Sequence, residues 1–365
     1  INEGRKTLTE VELGKYYGSL MDRSLRVIHN EQLIHPFQPY NNIATANQIE
    51  YFEKVFDLNS PIDSSDQIWQ WKELMTLITM IVAMIMLIPF SRFLLAQNIF
   101  NTLVKDVPKA LPQQNKTSKI IFWIIFFLGA FIASMSYIPM VDAAKVIFAD
   151  AANRELTWFY PQRMNNSVML WAAFNGVIGL ILFTGSYQFF GKKHGVSISS
   201  WGLEADIKYI AKTFGLALTV FASYYALLFL IYYIFHVDYR FWFMGVRIFQ
   251  PEMLLVLAMY APIFFIFFFS NSLRVNGAMR IKGQAEWKSM LIAGVANSLG
   301  LFLIILLQYV TFALTGTVFW TTNWLSVNLL FAIVPMMFVL PYFNRYFFYM
   351  TGRVYLGPMV TTLVF

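Results

Sequence analysis

The sequence contains no cysteine and few charged residues. Among its 365 residues, Asp, Glu, Lys and Arg together make up 13%, and Cys is absent. The lack of Cys excludes structural disulfides, thiol nucleophiles and cysteine-based zinc sites. A soluble domain typically contains about 25% charged residues, so this chain is short of the polar surface that water requires.

Motifs for nucleic-acid, metal and cofactor binding are also missing. The formal net charge is +7, but the sequence has neither a basic tail nor a run of five or six like charges,. It also contains no Walker motif, no His-rich metal motif and no pair of catalytic carboxylates. We therefore expect no nucleic-acid partner, no metal and no cofactor.

Long apolar runs dominate what is present. Hydrophobic residues make up 58% of the chain and aromatic residues 18%, and the mean hydropathy is +0.55. A bilayer core is spanned by about 20 apolar residues in a helix, and lipid offers the backbone no alternative hydrogen-bond partners. The sequence predicts an all-α polytopic membrane domain over residues 71–365, in the cell membrane. Its expected spans are 73–95, 119–140, 167–190, 210–235, 251–272, 289–314 and 326–343, with an eighth over 354–365 that the end of the sequence cuts off.

The distribution of Lys and Arg predicts an orientation. These residues are concentrated after the first, third, fifth and seventh spans, whereas the loop after the sixth span contains none. Basic loops stay on the cytoplasmic side. We therefore expect residues 1–70 to be extracytoplasmic.

The first 60 residues have a mixed composition unlike the rest. We expect a strand over 24–28, an amphipathic helix over 42–56 and a linker over 61–70,. Thr7 and Glu10 have the spacing of a capping box, which predicts a helix start. A segment this short is too small for a stable domain without disulfides, and it begins with Ile1 rather than Met. We therefore interpret the chain as starting in mid-protein.

This front segment resembles the end of an α/β-hydrolase domain. Residues 14–18 (Gly-Lys-Tyr-Tyr-Gly) and 22–27 (Asp-Arg-Ser-Leu-Arg-Val) are similar to the approach to the last strand of that family, and residues 42–56 are similar to its closing helix. The junction at 67–73 also resembles bacterial α/β-hydrolase-type proteins with a multi-pass C-terminal region. On this resemblance, residues 1–60 are the C-terminal strand, loop and helix remnant of a hydrolase domain.

The resemblance implies a serine hydrolase that acts on a small-molecule, lipid or peptide substrate. His35 follows the expected strand and would be the catalytic histidine, which takes the serine proton and returns it to the leaving group. His29 is the competing candidate, at the end of the strand pattern. No G-x-S-x-G motif occurs in the chain, so the nucleophile and the acid would precede Ile1.

Polar residues within the expected spans offer a different view of function. Asn175, Gln188, Asn297 and Gln308 are the notable ones, and hydrogen bonding between helices explains such residues most often. After the fourth span, the ionisable residues His236, Asp238 and Arg240 accompany several aromatic residues, which is typical of a solvated interfacial cap,. A transporter or permease-like protein, or a scaffold without chemistry, therefore stays open beside the hydrolase.

The charge pattern makes a prediction about topology. A reporter that works only in the cytoplasm should be active when it is fused after Lys116, in the first loop. A reporter that works only outside the cytoplasm should be inactive there. A phosphatase and a fluorescent reporter at the same position distinguish the two sides of the membrane. Activity of the phosphatase after Lys116 would reverse the orientation.

Overall fold

A computed structural model describes residues 10–33, 35–203, 205–236, 239–241, 244–246 and 250–364. Within them, α-helices predominate, and a two-stranded antiparallel hairpin, β1 and β2, separates α6 from α7. The helices are α1 Asn42–Phe56, α2 Trp69–Leu95, α3 Lys116–Ile147, α4 Ala149–Ala152, α5 Arg163–Ser186, α6 Ile207–Phe235, α7 Met253–Leu273, α8 Glu286–Thr315, α9 Trp324–Asn328, α10 Leu330–Thr351 and α11 Leu356–Val364, and the strands are β1 Tyr239–Phe241 and β2 Met244–Val246.

Among the described residues, seven helical segments are long and apolar enough to cross a membrane. They confirm the expectation of an all-α, multi-pass membrane protein. Every segment extends beyond the span predicted from hydropathy at one end or at both. The third and fifth segments extend at their C-terminal ends, through π-helical turns that continue α5 and α7. Backbone hydrogen bonding does not stop where the side chains become polar, so the helices continue past the bilayer core.

The expected eighth span corresponds to α11, which has nine residues. At about 1.5 Å per residue, this length covers roughly half of the hydrocarbon core. Its residues from Leu356 to Thr362 are buried, and it packs against α6, α7 and α10. The described part of this segment is therefore buried within the bundle.

The chain divides into two compact units, Ile1–Thr79 and Met80–Phe365. In the first unit, the helix predicted over 42–56 is confirmed as α1, whose N-terminus is capped by the side chain of Asn41,. The Asn42 side chain accepts hydrogen bonds from Trp69 at 2.9 Å and Gln70 at 2.7 Å. Ile43, Phe52 and Phe56, predicted on one apolar face of α1, are 63%, 51% and 64% exposed.

The strand predicted over 24–28 is reduced to one antiparallel bridge. Tyr17 and Arg26 exchange two backbone hydrogen bonds of 2.8 Å, and Gly14 N–H donates to the Ile28 carbonyl. The described residues of this unit form no sheet. An extended segment needs further paired strands to be a stable sheet, so the structure shows no strand of an α/β-hydrolase remnant here. The capping box at Thr7 lies outside the described residues.

In the second unit, small residues let the helices approach closely. A Cβ atom at Gly300 of α8 would lie 2.4 Å from the Ala130 carbonyl oxygen of α3, and one at Gly176 of α5 would lie 2.8 Å from the Phe267 backbone of α7. Such contacts favour helix association in lipid, where apolar burial drives nothing. As a result α3 packs against α5 and α8, α5 against α7, and α8 against α10.

Candidate functional site

A cavity of about 460 Å³ lies inside the helix bundle of the second unit. It is lined mainly by α3, α5, the α7 segment and α8, and the segments 111–115 and 190–196 line it as well. Small-molecule sites generally have volumes of about 300–1,000 Å³. The cavity is therefore large enough for an organic ligand.

Most of the lining is hydrocarbon. The side chains from α3 and α5 are apolar or aromatic, and Trp171 and Phe267 close the same space, with their ring centroids 5.6 Å apart. The apolar side chains of this wall are Ile121, Phe122, Ile125, Phe126, Ile178, Leu182 and Phe183. A ligand that fills this part would be held by apolar contact.

Arg274 supplies the positive charge of the cavity wall. It begins the π-helical turn Arg274–Ala278, which continues α7 without a break. π-helical turns within helices are frequent at functional sites. Here the continued helix keeps Arg274 inside the bundle, where its guanidinium lines the cavity beside Ser270 and Asn271.

The guanidinium of Arg274 is poorly satisfied by the protein. Among the described residues its Nη2 donates to Asn297 Oδ1, its Nε is buried without a partner, and no carboxylate oxygen lies within 4.0 Å. An arginine has five N–H donors and always carries a charge. The site thus presents a partly buried cation that the described residues leave without a counter-charge.

Three asparagines fix the wall next to Arg274. Asn271 donates to Asn297 Oδ1 at 2.6 Å, Asn344 donates to Asn271 Oδ1 at 2.9 Å, and Asn297 donates to the Met337 carbonyl at 3.1 Å. These bonds join α7, α8 and α10, and they use Nδ2 of each asparagine. Asn297 Oδ1 therefore accepts from both Asn271 and Arg274, and the amide chain orients the guanidinium.

A second arginine supports the π-helical turn from behind. Arg345 is 3% exposed at its side chain; it donates to Asn276 Oδ1 at 3.0 Å, to the Val275 carbonyl at 2.6 Å and to Glu286 at 2.7 Å. Through these bonds α10 holds the turn and the start of α8 together. Unlike Arg274, Arg345 has a carboxylate partner, so its charge is compensated within the protein.

A third arginine, Arg280, ties the end of this segment to two loops. It donates to the carbonyls of Asn276, Pro108 and Ser200 at 2.6–2.8 Å, and its guanidinium lies 4.5 Å from the Phe348 ring centroid. Burial, with the nearby charge of Arg345 adding to it, lowers the pKa of Arg280 to about 10. The side chain is therefore still charged at neutral pH, and it fixes the loops that border the cavity.

The histidines predicted as catalytic lie in the first unit. His35 begins a short 3-10 helix, His35–Tyr40, and its side chain lies outside the described residues. His29 Nε2 is buried and has no hydrogen-bond partner among the described residues. The assignment of His35 as a catalytic base stays a prediction.

The polar residues predicted within the spans have mixed outcomes. Asn175 joins α5 to α3 through a hydrogen bond of 3.1 Å to Ser136, and Asn297 joins α8 to its neighbours, as expected. Gln308 instead accepts from the Trp320 backbone N–H in the following loop at 2.7 Å, and Gln188 is exposed. In the predicted cap after α6, His236 ends that helix and Asp238 lies outside the described residues.

Sequence reasoning missed Arg274, Asn271, Asn344 and Arg345. The apolar run ends at residue 272, so hydropathy places Arg274 in the following loop. Asn271 and Arg274 are three residues apart, which puts them on one helical face. This spacing is the signal that could have found them.

Comparison with protein-family models, curated proteins and solved structures finds no match for this chain. Among the described residues there is also no cluster of three or more His, Asp or Glu side chains that could hold a metal ion. The function must therefore be argued from the cavity and its charge.

The role of Arg345 can be tested by Arg345→Met. This change leaves Asn276 Oδ1 and the Val275 carbonyl buried without a donor, and each such loss costs about 1–3 kcal/mol. We expect the free energy of unfolding to fall by roughly 2–4 kcal/mol, measured by thermal and denaturant unfolding in detergent.

Glu286→Gln is the matched control for that variant. Glu286 is 50% exposed, and a glutamine can still accept from Arg345, so the loss should stay below about 1 kcal/mol. Equal losses in the two variants would show that Arg345 acts only through its ion pair.

Proposed function

We propose that this multi-pass membrane protein binds an amphipathic anion inside its helix bundle. The proposal is carried by Arg274, a charged side chain in a largely apolar cavity with no carboxylate close to it among the described residues. The apolar wall of α3 and α5 suits a hydrocarbon, and Arg274 suits an anionic head group.

The energetic argument starts from the cost of burying charge. An ion in a low-dielectric interior is costly unless a counter-charge or hydrogen bonds compensate it. One hydrogen bond to Asn297 compensates Arg274 only in part. A bound anion would supply both the missing charge and acceptors for the free N–H groups.

The position of Arg274 within a membrane-spanning segment adds support. Ionisable residues inside such segments are rare and mark substrate or ion pathways. Among the alternatives drawn from the sequence, this favours a transporter or permease-like protein over a scaffold without chemistry. The bilayer itself is then the source of the ligand.

Removal of the charge tests the proposal. Arg274→Gln keeps a donor for Asn297 but loses the cation. The amount of anionic lipid that stays bound should fall at least 30-fold, because a buried charge pair contributes about 2–5 kcal/mol. The measurement is mass spectrometry of anionic lipids that remain bound to the purified protein.

The control removes an equal charge outside the cavity. Lys119→Gln changes an exposed basic residue of α3 that does not line the cavity, and its bound lipid should match that of the unmodified protein. Equal retention in all three proteins would contradict an anion site at Arg274.

A second proposal concerns the first unit. We propose that residues 1–60 belong to a serine hydrolase for an ester, lipid or peptide, with His35 as general base. The support is the resemblance over residues 14–56 together with the observed helix α1 at Asn42–Phe56, which follows His35 as the closing helix of that family would. The Lys and Arg pattern supports an extracytoplasmic position for this segment in the cell membrane.

His35→Ala in the full-length protein tests this second proposal. Loss of a general base should lower ester hydrolysis by about 10²–10⁴-fold, without a change in thermal unfolding. His29→Ala is the control and should keep activity. A protein that a fluorophosphonate fails to label, or a fully active His35→Ala variant, would remove the assignment.

A further inference from the structure

We infer that the ligand of the bundle cavity is a single-chain, singly charged amphiphile, namely a long-chain carboxylate. This inference rests on the proposed function and specifies its ligand. It follows from the number of charges, the number of free donors and the volume of the cavity.

The charge count sets the charge of the head group. Among the described residues that line the cavity, Arg274 is the cation with a permanent charge, and His194 is an exposed residue at the border formed by segment 190–196. Arg280 and Arg345 do not line the cavity, and their N–H groups are used by backbone carbonyls, Asn276 and Glu286. One permanent charge matches a monoanion better than a phosphate monoester, which carries nearly two charges at neutral pH.

The free donors set the shape of the head group. Nδ2 of Asn175, Asn271 and Asn297 already donates within the protein. Arg274 offers further N–H groups at this end: among the described residues its Nη1 makes no hydrogen bond and its Nη2 donates only to Asn297, so each of these two nitrogens keeps a free N–H group,. A guanidinium fork pairs two parallel N–H groups with the two oxygens of a carboxylate.

The size and lining of the cavity set the number of chains. Its volume of about 460 Å³ lies in the lower part of the range of small-molecule sites,. The apolar wall is one continuous set of side chains from α3, α5 and α7, with Trp171 and Phe267 at one side. This volume and this single apolar wall suit one hydrocarbon chain better than two.

The fixed position of Arg274 at one end of the cavity explains why the site should select an anionic ligand over a neutral one. Asn271, Asn297 and Asn344 hold Arg274 through a connected hydrogen-bond chain. A fixed guanidinium loses little conformational entropy when the ligand binds. A neutral ligand of the same length would leave that guanidinium desolvated and unpaired, and should bind much more weakly.

The test uses the full chain in nanodiscs of phosphatidylcholine. A diazirine-bearing hexadecanoate is crosslinked by light, and the labelled peptides are mapped by mass spectrometry. We expect labels on α3 and α5 residues of the wall, such as Ile125 and Ile178, and at least tenfold less label in Arg274→Gln. Lys119→Gln, the exterior control, should be labelled like the unmodified protein.

Competition then identifies the head group and the number of chains. Unlabelled hexadecanoate should displace the probe at concentrations at least tenfold lower than hexadecanol, hexadecyl phosphate or two-chain phosphatidylglycerol. Stronger competition by hexadecyl phosphate or phosphatidylglycerol overturns the carboxylate inference and leaves the anion site in place. If the wall of Arg274→Gln is labelled as strongly as that of the unmodified protein, and no anion competes with the probe, both the carboxylate inference and the anion site are overturned.

Discussion

The hydrogen bond from Arg274 to Asn297 is the interaction on which the candidate site depends. It joins a charged group of the α7 segment to a chain of amides that reaches Asn271 and Asn344. Because lipid provides no hydrogen-bond partners, these polar groups depend on one another for hydrogen bonds. The same bonds that hold α7, α8 and α10 together therefore determine where the cation points.

The three arginines of this region, Arg280 and Arg345 buried and Arg274 partly buried, differ in how the protein compensates their charge. Arg345 has Glu286, and Arg280 has three backbone carbonyls and the face of Phe348. Arg274 has one amide oxygen. All three arginines lie within a few turns of each other in the chain or the fold. A general tolerance of this region for charge therefore does not explain why Arg274 is compensated less than the other two. The difference supports structural roles for Arg280 and Arg345 and the proposed binding role for Arg274.

The sequence predicted the membrane architecture well because hydrocarbon thickness imposes a length on every span. It also predicted α1, whose apolar spacing and Asn41 cap are local signals. The strand over 24–28 was wrong as a sheet strand, because its pairing depends on residues distant in the chain and, among the described residues, only the Tyr17–Arg26 bridge forms there. Arg274 was misplaced for another reason: hydropathy ends a span at the first charge, whereas backbone hydrogen bonds carry the helix on to Ala278.

The π-helical turn at Arg274–Ala278 has a consequence for how this bundle tolerates length changes. Such a turn closes its hydrogen bonds over one more residue than an α-helical turn, so the segment holds one residue more than a regular helix would need. Loss of one residue there could be absorbed as a plain α-helix, but each residue of an α-helix turns the chain by about 100°. The segment would stay helical and apolar while Arg274 and Arg280 could no longer both reach their present partners. The register of this turn therefore decides whether the bundle presents the cation of Arg274 to its interior or only spans the membrane.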